Sequence, residues 1–153
     1  MIASFLMGLV GGQRGITPIA AVAVAAARGE LPADNGGPKI LANPWVAAGL
    51  LALAAAEYMG DKQETAPDRI VPIGLAVRFV TSAVAGAALT PRKQRWGGAL
   101  VGGLTAVAAS YPGWRLRVAA MPRYGQTATG FVEDAAVLAG AVAIVRAHDA
   151  GVL

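Results

Sequence analysis

The stretch Gly8–Pro18, which reads Gly-Leu-Val-Gly-Gly-Gln-Arg-Gly-Ile-Thr-Pro, puts a charged side chain inside an apolar run that extends from Met1 to Ala27. Glycine lacks a Cβ atom, and proline removes a backbone donor and crowds the carbonyl four residues earlier, so this stretch loosens a helix around Arg14. A helix opened in hydrocarbon exposes polar backbone groups that only protein or trapped water can satisfy. The stretch therefore predicts a broken first span and an internal polar site in a small membrane protein.

The composition of the whole chain also favours a membrane protein. Of its 153 residues, 56% are hydrophobic and 14% are charged, and the mean hydropathy is +0.54. A soluble domain carries about 25% charged residues, so this chain has too few charges to cover a surface that faces water. We expect a single integral membrane domain over residues 1–153.

Residues and motifs that the chain lacks exclude several functions. There is no cysteine, hence no thiolate metal site and no cysteine nucleophile, and the HExxH, P-loop and GxSxG motifs are absent. The basic residues behind the net charge of +4 fall mostly between apolar runs, as in loops that face lipid head groups. We therefore expect no enzyme activity, no cofactor, no metal and no nucleic-acid partner.

Apolar runs bounded by proline, glycine and charge predict an all-α bundle with five membrane spans, each of which needs roughly 20 apolar residues. The predicted spans are Ile2–Ala27, Pro44–Gly60, Ile70–Leu89, Gly97–Tyr111 and Thr127–Val145. The fourth is short, and it either crosses fully or forms a tilted or re-entrant helix. The next segment, Tyr111–Gln126, mixes prolines, arginines and aromatic rings, so we expect it in the head-group region.

Five spans put the chain ends on opposite faces and divide the basic residues almost evenly between the faces. One face receives Arg28, Lys39, Arg92, Lys93, Arg95 and Arg146, and the other receives Lys62, Arg69, Arg115, Arg117 and Arg123. The positive-inside rule then favours the face of the Arg92–Arg95 cluster as cytoplasmic only weakly. Because five short helices make a thin bundle, we expect a homo-oligomer, with an antiparallel dimer as one form.

A short repeat suggests internal symmetry. Leu9-Val10-Gly11-Gly12 in the first span returns as Leu100-Val101-Gly102-Gly103 in the fourth. Three intervening crossings would orient the two copies oppositely, as in transporters with inverted repeats. The sequence therefore suggests an inverted repeat.

Charged residues inside the predicted spans indicate the polar site, because each costs about 2.5–3.5 kcal/mol near the bilayer centre. They are Arg14, Glu57, Arg78, Glu133 and Asp134. Alternating span directions bring all five into one half of the bilayer. With Thr17 and Asp61 added, they form the predicted substrate or ion site, and other hydroxyls that could complete it include Tyr58, Thr81 and Ser82.

Two functions stay open for such a site. In a transporter or channel, Arg14 and Arg78 bind an anionic group or gate the carboxylates of a small solute or ion path. In a scaffold or accessory subunit, Glu57–Arg78 and Arg14–Asp134, or the crossed pairs, are structural ion pairs. A water path to Arg14 would indicate transport, and complete enclosure of Arg14 would indicate a scaffold.

The chain resembles the domain-of-unknown-function family numbered 4126, small integral membrane proteins of bacteria. The matching residues, between Gly8 and about Ala143, are Arg14-Gly-Ile-Thr17-Pro18, Glu57 with Asp61 and Lys62, Pro67 with Arg69, and Arg78. The resemblance implies an integral protein of the bacterial inner membrane, surrounded by the lipid bilayer. It implies no particular activity.

Overall fold

The chain is helical in the computed structural model, which describes residues 1–60 and 70–153. These residues form six α-helices and no strand: α1 (Ile2–Gln13), α2 (Thr17–Arg28), α3 (Pro44–Gly60), α4 (Pro72–Ala88), α5 (Arg95–Tyr124) and α6 (Gln126–Asp149). Two short 3-10 helices, Lys39–Ala42 and Arg92–Gln94, lie in the connections. The predicted all-α fold is confirmed, and the predicted site residue Asp61 lies outside the described residues.

The first apolar run is broken where the glycines, Arg14 and Pro18 predict a break. At Arg14 the backbone is extended, with φ −136° and ψ 119°, so α1 cannot continue. Pro18 lies in the first turn of α2, where its missing N–H costs no helical hydrogen bond. We call the connection Arg14–Ile16 the tip.

Helix α1 runs antiparallel to α4. Near the start of α1, Ser4 Oγ donates a hydrogen bond to the carbonyl of Gly86, 2.9 Å away, near the end of α4. Beyond the end of α1, the carbonyl of Gly15 accepts from Thr81 Oγ1 at 2.6 Å, earlier in α4. The start of α1 and the end of α4 therefore share one end of the bundle, which we call face A.

Helix α2 turns back toward face A instead of continuing the direction of α1. The loop that follows α2 lies at the end of α4, where the N–H of Gly36 donates to the carbonyl of Thr90 at 2.8 Å and the N–H of Arg92 donates to the carbonyl of Asp34 at 2.7 Å. Helices α1 and α2 thus form a helical hairpin that enters the bundle from face A, reaches the tip and returns.

Helix α5 runs parallel to α1 at very short range. A Cβ atom added to Gly8 would lie 2.7 Å from the carbonyl oxygen of Gly102, and one added to Gly12 would lie 2.9 Å from that of Ala106. Only glycine permits this approach. The two Leu-Val-Gly-Gly copies therefore point the same way, and the suggested inverted repeat is wrong because the first run folds back instead of crossing.

Both chain ends lie at face A, so their predicted placement on opposite faces is also wrong. Helix α5 leads from face A to a turn at Gly125, at the opposite end, which we call face B. Helix α6 returns, with Asp134 beside Arg14 and Gly140 beside Val10. The α1–α2 hairpin supplies two passes that begin and end at face A, and four more helices complete the bundle.

The predicted end of the fourth span at Tyr111 is wrong, since α5, a helix of 30 residues, continues through Pro112 and Pro122 to Tyr124. An internal proline removes one hydrogen bond and bends a helix, but packing can hold the helix together. Here Gly113 packs directly against the side chain of Gln13, so α1 supports α5 just beyond Pro112.

Small and polar residues fill the bundle, whereas many large apolar residues lie on its surface. Buried polar residues include Arg14, Thr17, Arg78, Thr81, Ser82, Ser110 and Asp134. Strongly exposed apolar residues include Leu53, Leu104, Leu116, Phe131 and Val132. Among the described helices, α6 alone is long and apolar enough to cross a membrane, and α1, α2 and α4 are apolar but shorter.

Candidate functional site

Arg14 lies at the tip with only 1% of its surface exposed. Its Nε donates to Asp134 Oδ1 at 2.7 Å, and its Nη2 lies 2.5 Å from the same oxygen. Glu133, the preceding residue of α6, places its Oε2 3.9 Å from Arg14 Nη2. Of the pairings left open by the sequence, the structure shows that of Arg14 with Asp134, which joins the tip to the last helix.

Tyr58 of α3 covers another side of the Arg14 guanidinium. The Cζ of Arg14 lies 5.5 Å from the centre of the Tyr58 ring, within range of a cation–π interaction. The Tyr58 hydroxyl is 2.7 Å from Thr17 Oγ1. The arginine therefore lies against an aromatic ring as well as a carboxylate, and Thr17 fixes the ring.

Glu57 binds the backbone of the tip. Its Oε1 accepts from the N–H of Gly15 at 2.7 Å, and its Oε2 accepts from the N–H of Ile16 at 2.9 Å. These two N–H groups lie directly before the first turn of α2, where the helix dipole favours a negative charge. A carboxylate of α3 thus caps the start of α2. The sequence suggested an ion pair between Glu57 and an arginine and did not predict this cap.

Helix α4 contributes the remaining contacts of the tip. Thr81 donates to the Gly15 carbonyl, so Gly15 is held by α3 through its N–H and by α4 through its oxygen. Arg78 is buried one turn earlier, and a Cβ atom added to Gly15 would lie 3.4 Å from Arg78 Cγ. Ser82 is fully buried, and its Oγ makes no hydrogen bond to the described part of the chain.

Arg117 of α5 belongs to this cluster, and the sequence reasoning missed it. Its Nη1 donates to Glu133 Oε2 at 3.0 Å. The mixture of prolines, arginines and aromatic rings in Tyr111–Gln126 predicts a head-group position for Arg117. In a continuous helix, however, Ser110, Gly113 and Arg117 are spaced at i, i+3 and i+7 and share one face, which is the signal that could have identified it.

Charges at the tip balance. The structure brings the predicted residues Arg14, Thr17, Glu57, Arg78, Glu133 and Asp134 together around the tip, and adds Tyr58, Thr81 and Arg117. Three arginines face three carboxylates. Within residues 1–60 and 70–153, no group of three or more His, Cys, Asp or Glu side chains is arranged to hold a metal ion.

A cavity of about 860 Å³ lies between α1, α5 and α6 and reaches this cluster. Most of its wall is apolar, and its polar groups include Gln13, Arg117 and Glu133. Arg14 does not line the cavity, but it lies behind Glu133 at 3.9 Å. The Arg117–Glu133 ion pair therefore separates the cavity from the enclosed arginine.

Comparison with known proteins gives one family. The model of the family described as "Domain of unknown function (DUF4126)" matches residues 1–148. No curated protein and no solved structure matches the chain.

Proposed function

Because the chain belongs to the DUF4126 family, whose function is unknown, we infer its function from its own residues. We propose that it is a small integral membrane transporter or channel whose solute or ion passes through the polar cluster at the tip. The observation that carries this proposal is the cavity whose wall includes the Arg117–Glu133 pair, one contact away from Arg14.

Membrane insertion is supported by the distribution of apolar and charged side chains, which is the reverse of that in a soluble protein. Leu104, Leu116 and Phe131 expose 60%, 72% and 60% of their surface, while Arg14 and Asp134 are buried. In water, exposed apolar area of this extent would favour aggregation, whereas a bilayer solvates it. The proposed surroundings are the lipid bilayer of the bacterial inner membrane.

The proposed topology has one re-entrant hairpin and four crossings. At 1.5 Å per residue, α5 and α6 are about 45 and 36 Å long, and α3 and α4 are about 26 Å long, against roughly 30 Å of hydrocarbon. Helices α1 and α2 are each about 18 Å long, which brings the tip near the bilayer centre. Face A carries the Arg92–Arg95 cluster, so we propose that it faces the cytoplasm.

Transport is supported by the backbone break at that depth. Irregular backbone inside a membrane is tolerated where it is buried in protein or lines a cavity, and transporters use such half-helices to bind solutes and ions. Here Glu57 accepts hydrogen bonds from the N–H groups of Gly15 and Ile16, directly before α2. A solute or ion that displaced one carboxylate of the balanced cluster from its arginine would break that ion pair. The contacts within the cluster would then depend on whether the solute or ion is bound.

A scaffold or accessory subunit is the second candidate, and the enclosure of Arg14 favours it. Only 1% of the Arg14 surface is exposed, and its charge is compensated inside the protein. Buried ion pairs of this kind fix the register of helices without any transport.

Cysteine accessibility separates the two candidates, because the native chain contains no cysteine. We would introduce Gln13→Cys in the cavity wall, Thr17→Cys beside the tip and, as a control, Ala135→Cys, which is exposed on α6 but outside the cavity. Each variant is reconstituted and treated with a membrane-impermeant thiol reagent from either side. Transport predicts reaction at positions 13 and 17 and none at the lipid-facing control. Protection of both positions in folded protein would exclude transport and leave the scaffold or accessory subunit as the remaining candidate.

A further inference from the structure

A second cavity, of about 830 Å³, opens at face A between the loop after α2, α4 and α5. Its deep wall is apolar and includes Phe79, Ala83, Val84, Ala87 and Ala99. Its rim is basic, formed by Lys39, Arg92 and Arg95, with Trp96 beside them. We call it the face A groove.

The three rim cations are available for a ligand. Lys39 and Arg92 are exposed, and within the described residues none of the three forms an ion pair with an acid. The Arg95 guanidinium lies over the Trp96 ring at 5.0 Å. Two acids lie in this loop: Glu30 pairs with Arg28 at 3.8 Å, and the carboxylate of Asp34 forms no ion pair with the described residues.

Backbone contacts hold the rim in place. Besides the two hydrogen bonds that tie the loop to the end of α4, Asn35 and Pro91 form an antiparallel bridge. Gly36 fits so closely that an added Cβ atom would lie 2.5 Å from Arg95 Cβ. The cations therefore extend from a fixed frame, and binding would order little more than their side chains.

We propose that the face A groove binds an anionic phospholipid, with its phosphate among Lys39, Arg92 and Arg95 and an acyl chain along the α4–α5 wall. An uncharged lipid would leave the three cations without a partner, and a free phosphate would leave the apolar wall unused. Basic pockets between membrane helices on the cytoplasmic side bind the head groups of anionic lipids in this way. The proposal requires membrane insertion but does not depend on transport.

Native mass spectrometry of the purified protein tests the site with two lipids, dioleoyl phosphatidylglycerol and dioleoyl phosphatidylcholine, which differ only in the head group. The test variant is K39Q/R92Q/R95Q. Its matched control is R28Q/K93Q/R146Q, which removes the same charge from the same face outside the groove. Circular dichroism checks that both variants keep the helical content of the native protein.

We expect the native protein and the control to retain phosphatidylglycerol in preference to phosphatidylcholine. The test variant should lose that preference by about a hundredfold, from roughly fivefold per removed cation. An equal loss of lipid preference in both triple variants would show that diffuse surface charge, and not the groove, selects the lipid. Equal retention of the two lipids by the native protein would overturn the proposal.

Two further measurements test the acyl-chain part of the site. Ala83→Leu, which fills the groove wall, should weaken retention of phosphatidylglycerol, and Ala76→Leu, at an exposed position of α4 outside the groove, should not. Glycerol 1-phosphate, which has the head-group phosphate without acyl chains, should fail to displace the lipid. Displacement of the lipid by glycerol 1-phosphate at a concentration equal to that of the lipid, or no effect of Ala83→Leu, would indicate that the rim binds a soluble phosphate instead.

Discussion

Arg14 Nε and Asp134 Oδ1 lie 2.7 Å apart although 120 positions separate the two residues. This hydrogen bond joins the tip of the first helical hairpin to the last helix of the chain. The Tyr58 ring and the Glu133 carboxylate complete the surroundings of the guanidinium. The stability of the tip therefore depends on residues from both ends of the sequence.

Loss of one partner of this pair should destabilise the protein strongly. Arg14→Gln removes the guanidinium from the buried ion pair with Asp134, and breaking a buried pair in this way costs about 3–5 kcal/mol of unfolding free energy. The double variant Arg14→Met/Asp134→Leu should recover part of that loss because both charges are removed. Denaturant unfolding in detergent of the native protein, the single variants and the double variant gives the free energies of this double-mutant cycle. Arg28→Gln, in the exposed pair with Glu30, is the control and should cost about 0–1 kcal/mol.

If the double variant proved as unstable as the sum of its single variants, Arg14 and Asp134 would not be energetically coupled. A stable double variant also separates the two proposed functions. A scaffold needs only a folded bundle and should keep its role, whereas a transporter should lose activity together with the charges.

Glu57→Gln tests the cap at the start of α2. The neutral amide keeps one oxygen for one of the two tip N–H groups and loses the favourable charge at the helix start, so we expect a loss of about 1–3 kcal/mol. Hydrogen exchange at the amides of Gly15 and Ile16 should accelerate. Glu30→Gln, which alters a solvent-accessible carboxylate, should leave these two amides unchanged, and equal exchange in both variants would contradict the cap.

Gly12→Ala tests the close contact between α1 and α5. The new methyl group would lie 2.6 Å from Ala109 Cβ, so the helices must separate, and overpacking of this kind costs about 1–3 kcal/mol. Gly49→Ala on α3 is the matched control, because a Cβ atom there meets nothing within 4 Å. The control should be neutral or gain up to about 1 kcal/mol from better helix propensity. Thermal unfolding of both variants gives the comparison.

The placement of both chain ends at face A can be tested in cells. Green fluorescent protein fused to Met1 in one version and to Leu153 in another should fluoresce in both, since it matures in the cytoplasm and face A is the proposed cytoplasmic face. Alkaline phosphatase at the same ends should be inactive in both. Opposite results at the two ends would restore five crossings and contradict a re-entrant hairpin.

The sequence predicted the break at the tip and most of the cluster, because glycine, proline and a charge within an apolar run act locally and can be recognised one residue at a time. It did not predict that α2 turns back, since a run as long as Ile2–Ala27 fits a full crossing equally well. That choice depends on distant partners of the tip, Glu57 and Thr81. Arg117 was missed for a related reason, because packing against Gln13 carries α5 past a proline that favours a helix end.

The bond between the tip and α6 also sets the order in which the chain can be assembled. Arg14 leaves the ribosome about 120 residues before Asp134, which at 5–20 residues per second is roughly 6 to 24 seconds. During that interval the first hairpin has an arginine and no final partner for it. In the proposed membrane topology, the nascent hairpin would wait at the water interface, or beside the translocation machinery, until the last helix arrives to close the bundle.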